Sequence, residues 1–264
     1  MGLSSQEPAR GGMLCHWTQS HGVSILSVVV GVVLWQFLAG QLPDLILPAP
    51  SAIIERFLDP IWTIELLRAL AGSLVHLAIG FGLCLATALP LGILIGRSKL
   101  LSSMFEPLIS ALYAIPPVAF VPFLVIWFGL FLEARIALVV LMSFFDVLVV
   151  IIAGARDVRP SFISVGHSFG ASYFQLFRLV VLPALLPFFF GALRVGSARS
   201  INAMITAELF FAAVNLGGIM KQASQNFDSA TVLSVVLLIC LLGLMSQSVI
   251  NILEARLLRW HIRS

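Results

Sequence analysis

Six long apolar stretches, residues 22–38, 69–95, 108–132, 136–153, 185–214 and 232–252, constrain this chain more than any other feature. Each is close to the roughly 20 residues that carry a helix across about 30 Å of hydrocarbon. Lipid offers the backbone no hydrogen-bond partner, so such stretches read as transmembrane helices, and the expected fold class is an all-α, polytopic membrane protein with six transmembrane helices. Composition agrees: of 264 residues, 60% are apolar and 10% charged, with 20 Phe against 2 Tyr. A soluble domain is about 45–50% apolar and about 25% charged. A soluble enzyme is excluded, and the short connections leave no room for a separate soluble domain. Residues 1–21 read as a tail, 22–256 as one membrane domain and 257–264 as a second tail. The stretch 22–38 follows a tail holding Glu7 and Arg10 and lacks a clear small-residue cleavage site, so it reads as a span and not a signal peptide.

Basic residues are distributed unevenly over the connections. Alternate segments share a side of the membrane, and one side collects Arg10, Arg97, Lys99, Arg156, Arg159, Arg178, Arg256, Arg259 and Arg263. The other holds Arg56, Arg68, Arg135 and Lys221 among several carboxylates. A bias of nine to four predicts that the tails, the 96–107 connection and the 154–184 connection face the cytoplasm. The net charge of +3 therefore speaks to topology in a lipid membrane and not to nucleic acid. Cys15, Cys84 and Cys240 are far apart and read as free thiols.

Small residues four apart, Gly92 with Gly96 and Ala192 with Gly196 and Ser200, predict faces of close helix packing. The third stretch carries Pro116, Pro117 and Pro122, so it is expected to be bent and buried where neighbours satisfy the freed carbonyls. No inverted repeat is visible.

The 154–184 segment is longer than a plain connector needs. A helix-like stretch from Pro160 to Phe169 is followed by Gly170, suited to a left-handed turn at a helix end, and by a second helical stretch ahead of Pro183. This predicts a helical hairpin on the membrane face, either docking a partner or lying as an amphipathic linker among the headgroups. Gly166, His167, Ser168, Phe169 and Gly170 match the G-x-S-x-G pattern of serine hydrolases, but no strand-turn-helix context surrounds Ser168, and the only later histidine is His261. With lysine only at Lys99 and Lys221, neither preceded by glycine, there is no G-x-x-x-x-G-K-[ST] phosphate loop, and no H-E-x-x-H pair supports a zinc protease. No metal or cofactor site is expected in this chain.

Charges at bilayer depth are costly and normally face the protein interior or a water path. Four qualify: Asp146, Arg194, Arg199 and Glu208. At about 100° per residue, Arg194, Ala198, Ile201, Ile205 and Glu208 share an arc of about 80°, while Arg199 points elsewhere. These four are the candidate translocation-pathway residues. The alternative is a set of structural ion pairs, with Arg194 or Arg199 bound to Asp146.

Several motifs together resemble the inner-membrane permease subunits of bacterial ABC importers, in the nitrate, sulfonate and taurine branch. Leu47-Pro48-Ala49-Pro50-Ser51 resembles that branch's L-P-x-P element, and Ile115-Pro116-Pro117 through Ala119, Pro122 and Trp127-Phe128-Gly129 its third-helix pattern. Gly170-Ala171-Ser172, Phe177-Arg178, Val181-Leu182-Pro183, Pro187 and Leu193-Arg194 match the spacing of its cytoplasmic loop, and Ala207-Glu208, Leu216-Gly217-Gly218 and Glu254-Ala255-Arg256 with Arg259-Trp260 continue the likeness. Two departures stand out. Ser164-Val165-Gly166 replaces the family's Glu-Ala-Ala, and Asp146, after Phe144-Phe145, stands where the family commonly has proline.

The resemblance implies a type I ABC importer permease fold in a bacterial inner membrane, with two copies of this chain, or this chain and a close relative, lining one pore. It implies two cytoplasmic ATPase subunits that bind ATP and Mg, and an extracytoplasmic binding protein that delivers substrate. The coupling helix that meets the ATPase would be Pro160 to Ser172, including Ser164, Val165, Gly166, His167, Ser168, Phe169, Gly170 and Ala171. Such a subunit is not itself an enzyme. Its cargo would be a small anion or polar organic solute such as a sulfonate, taurine or nitrate. The competing function is a secondary transporter or channel that moves ions or protons through Asp146 and Glu208.

Overall fold

The computed structural model describes residues 26–43 and 46–258, so the 1–21 tail and residues 259–264 lie outside the described residues. In chain order the helices are α1 (Leu26–Ala39), α2 (Pro50–Leu58), α3 (Pro60–Arg97), α4 (Lys99–Tyr113), α5 (Val121–Phe128), α6 (Leu132–Asp157), α7 (Pro160–Ser168), α8 (Tyr173–Leu176), α9 (Leu182–Ala207), α10 (Asn215–Gln225) and α11 (Ser229–Leu257). No strand occurs among the described residues. A 3-10 turn, Pro117–Phe120, leads into α5, and π-helical turns at Phe177–Val181 and Glu208–Ala212 bracket α9.

Four helical runs are long and apolar enough to cross a membrane: α3, α6, Tyr173–Phe211 and α11. The pair Lys99–Tyr113 and Pro117–Phe128, bent by 86°, makes a fifth if the two are counted as one broken span. The expected six spans are therefore met by four or five, because α1 is apolar but shorter, and residues 22–25 of its expected span lie outside the described residues.

Helices run further than the apolar windows do. The expected 96–107 connection shrinks to Ser98, whose Oγ accepts from Leu101 N at 3.3 Å and so starts α4 one residue after α3 ends. Asp59 caps α3 by accepting from Ile61 N at 3.0 Å, with Pro60 in the first position, and α2 and α10 lie between the apolar windows. A helix satisfies its own backbone in water as well as in lipid, so polar capping residues set its ends and hydropathy does not.

The bundle is organised around α6, which packs most extensively on α3 and α9. Cys84, Ala88, Val147, Leu148, Ile151 and Ala192 form its buried centre. The small-residue faces lie in these contacts: a Cβ on Gly92 would lie 2.8 Å from Ile151 Cγ2, and one on Gly196 2.6 Å from Val147 Cγ2. Without water to expel, such close backbone approach is what holds helices together in lipid, through many small dispersion contacts.

The proline-rich stretch is bent as expected but not buried. Pro116 and Pro117 cannot donate to a helix, so α4 stops at Tyr113 and the chain turns. Only Ile109 of α4 and Leu124 of α5 are buried, while Ile126 is 76% and Trp127 72% exposed. Of the carbonyls that the prolines free, Leu112 O accepts instead from Ile115 N at 3.2 Å, and a short 3-10 turn follows, with Ala119 N donating to Pro116 O at 2.9 Å.

Candidate translocation site and coupling loop

The helical hairpin occupies the end of the bundle where α3 and α6 terminate. Pro160 takes the first position of α7, and Gly170, at φ +73°, ends it, with Gly170 N donating to His167 O at 2.9 Å and Ala171 N to Gly166 O at 3.1 Å. Ser172 opens α8 with a reciprocal cap: its Oγ accepts from Gln175 N at 3.3 Å, and Gln175 Oε1 accepts from Ser172 N at 2.8 Å. Gly166 faces Leu176 of α8 too closely to admit a Cβ without moving that side chain, so α7 folds back on α8 at this glycine. His167 and Tyr173 meet edge to face, with ring centroids 5.7 Å apart.

Ile163 packs on Ala155, Val158, Val181 and Leu185, while much of the hairpin is exposed. Val165, Ser164 and Ser168 are exposed, and the Ser164 and Ser168 hydroxyls donate to Pro160 O and Ser164 O at 3.2 and 3.0 Å. Phe169 and Tyr173 are 87% and 85% exposed, an aromatic pair left uncovered on a built helical turn. Ser168 ends a helix in a region without strands, so the hydrolase pattern has none of the structure its chemistry needs.

The four membrane charges fall into three separate arrangements. Asp146, on α6 and 8% exposed, forms an ion pair with Arg199, Oδ2 to Nε at 3.0 Å, and accepts from the Tyr113 hydroxyl at 2.8 Å. Arg199, on α9, keeps 53% of its side chain exposed and borders a cavity of about 170 Å³ that Asp146 and Tyr113 also line. Arg194 lies outside this cavity and turns to α11, donating to Glu254 at 2.6 Å and Asn251 at 2.9 Å.

Glu208 is fully buried beyond the far end of α9. Its Oε2 accepts from Ser73 Oγ at 2.8 Å and Gly217 N at 3.1 Å; its Oε1 accepts from Asn215 Nδ2 at 3.1 Å and lies 3.1 Å from His76 Nδ1. The shared arc of Arg194 and Glu208 does not make a common site, because Arg194, midway along α9, pairs with α11, whereas Glu208, just past its end, is bound by α3 and α10.

Sequence reasoning did not single out Tyr113, or Ser73 and Asn215 beside Glu208; the sequence reads His76 as a buried polar residue between helices, but not its partner. Tyr113 had a signal: it is one of 2 tyrosines in an apolar chain and sits directly before a proline break. The side chains that reach Glu208 from α3 had none, since Ser73 and His76 precede it by 135 and 132 positions.

An all-α bundle of apolar helices among the described residues, with a structured hairpin at one end and charges paired between helices, marks a membrane protein, and comparison with known families gives its class. Residues 88–259 match the family described as the binding-protein-dependent transport system inner membrane component, and the chain belongs to it. It is an ABC transporter permease with the type I importer permease fold, a multi-pass inner-membrane protein of a family that works with separate ATPase and substrate-binding proteins. It is similar to a probable ABC transporter permease of Brucella abortus strain 2308, 29% identical over 92% of this chain and 97% of the relative. The taurine transport system permease of Escherichia coli K12 is 28% identical over 93% and 92% of the two chains, and a putative aliphatic sulfonates transport permease of Bacillus subtilis 168 is 28% identical over 90% and 87%.

Proposed function

We propose that this permease serves an ATP-driven importer for a small oxyanion or polar organic solute, of the kind named for its taurine and sulfonate relatives. The observation that carries this reading is Arg199: a guanidinium half exposed at bilayer depth cannot face hydrocarbon, where it costs at least about 2.5 kcal/mol. Its side of the bundle must border water or another polypeptide. The uncovered apolar surface of α4 and α5 beside it supports a second permease copy across a shared path. The exposed Phe169 and Tyr173 support docking of the hairpin in a cytoplasmic ATPase, which would bind ATP and Mg; on this reading both termini are cytoplasmic, as the bias of basic residues also suggests. A binding protein would deliver solute at the other face.

Family membership and the Asp146–Arg199 pair both weigh against the ion-channel or secondary-transporter alternative. The test is uptake into proteoliposomes holding this chain with its ATPase and binding protein, using labelled taurine and ethanesulfonate. Uptake should require ATP and the binding protein together. Uptake that runs on an ion gradient with the ATPase omitted would overturn the reading.

A further inference from the structure

We propose that Arg199, Asp146 and Tyr113 form an oxyanion subsite within the membrane, in which Asp146 is a resident counter-ion that the solute's oxyanion displaces. This rests on the importer reading and assigns its solute contact. Asp146 engages Arg199 through Nε, and no second carboxylate pairs with Arg199 among the described residues. The Arg199 side chain stays 53% exposed and lines the cavity, so the open side of its planar guanidinium can meet two oxygens of a sulfonate, carboxylate or nitrate. The other walls are apolar, among them Leu112, Ile115, Phe120 and Met142, which suits a short hydrocarbon stem attached to the anion. At about 170 Å³ the cavity compares with one of about 150 Å³ that accommodates benzene, so the occupant has about six heavy atoms.

Asp146 has a definite task in such a site. A lone guanidinium in a low-dielectric path would bind an anion tightly and stop its passage, whereas translocation needs binding weak enough to reverse. With Asp146 in place the empty site is electrically neutral, and an arriving oxyanion must compete for the guanidinium. When it succeeds, the Tyr113 hydroxyl, which donates to Asp146 Oδ1 at 2.8 Å, keeps that buried carboxylate hydrogen-bonded. Losing Asp146 leaves Arg199 half exposed and able to be hydrated, so Asp146→Asn should fold. Losing Arg199 alone leaves a buried charge short of a partner, and for that reason the charge-free double variant is the informative one.

The experiment is calorimetric titration of sodium ethanesulfonate into the complex of this chain with its ATPase in nanodiscs, with assembly checked by size exclusion. Asp146→Asn should bind ethanesulfonate about tenfold more tightly than wild type, a change of about 1.4 kcal/mol, and turn it over more slowly. Asp146→Asn combined with Arg199→Gln should assemble and bind none. An Asp146→Asn complex with unchanged affinity, a double variant that binds like wild type, or an Asp146→Asn complex that binds none of ethanesulfonate, nitrate and acetate overturns the subsite. If ethanesulfonate is imported yet its affinity ignores these variants, the importer reading stands and the subsite falls. If only nitrate or acetate binds, and more tightly in Asp146→Asn, the subsite stands and the sulfonate reading falls.

Discussion

The backbone N–H of Gly217 donates to the buried carboxyl group of Glu208 at 3.1 Å, so this acidic side chain sits at the N-terminus of α10. Helix N-termini carry partial positive charge and unpaired N–H groups, which makes this a favourable place for a carboxylate that water cannot reach. The approach is so close that a Cβ on Gly217 would lie 2.5 Å from Glu208 Cβ. Ser73 and His76 bring α3 to the same carboxylate, so Glu208 ties α3, α9 and α10 together.

From this follows a stability difference. Glu208→Ala strands the donors of Ser73, Asn215 and Gly217, each at about 1–3 kcal/mol, and should lower stability by about 3 kcal/mol or more. Glu208→Gln retains an accepting oxygen and should lose less. Thermal unfolding of the detergent-purified protein is the measurement, and equal midpoints for Glu208→Ala and wild type would refute the anchoring role.

Arg194 should behave differently, because its pair with Glu254 is partly exposed on both sides. Such pairs contribute up to about 1 kcal/mol. Arg194→Gln is therefore expected to assemble and to transport at a rate near that of wild type. Loss of transport with assembly and ATPase activity intact would return Arg194 to the pathway.

Gly170 adopts φ +73°, where a β-branched residue is strained by about 1–2 kcal/mol. Gly170→Val should misdirect the turn between α7 and α8 and weaken co-purification with the ATPase. Undiminished substrate-stimulated ATP hydrolysis in that variant would count against docking through this hairpin. Ser168→Ala removes only a bond to Ser164 O and should leave transport unchanged.

Orientation is checked by reporter fusions. Reporters active only outside the cytoplasm should stay dark when fused after Arg178 or Arg256. Signal from either fusion would invert the topology and remove the hairpin from the ATPase side.

Local chemistry made much of this protein legible in the sequence. Long apolar runs announce helices in lipid because no other backbone arrangement satisfies its polar groups there, and Pro160, Gly170 and the Pro116–Pro117 break act through their own torsions, whatever surrounds them. Small residues at Gly92 and Gly196 likewise carry their packing role in their size. What remained for the tertiary structure was the partner of each buried charge. Helical periodicity set Arg194 and Glu208 on one face, but it says nothing about which neighbouring helix lies against that face. The fold gives Glu208 to α3 and α10, Arg194 to α11, and Arg199 to Asp146 on α6. A charge interacts with whatever lies within a few ångströms, and in a bundle those neighbours come from distant parts of the chain. The membrane fold could therefore be read from local chemistry, whereas the cavity of Tyr113, Asp146 and Arg199 exists only after α4, α6 and α9 have packed together.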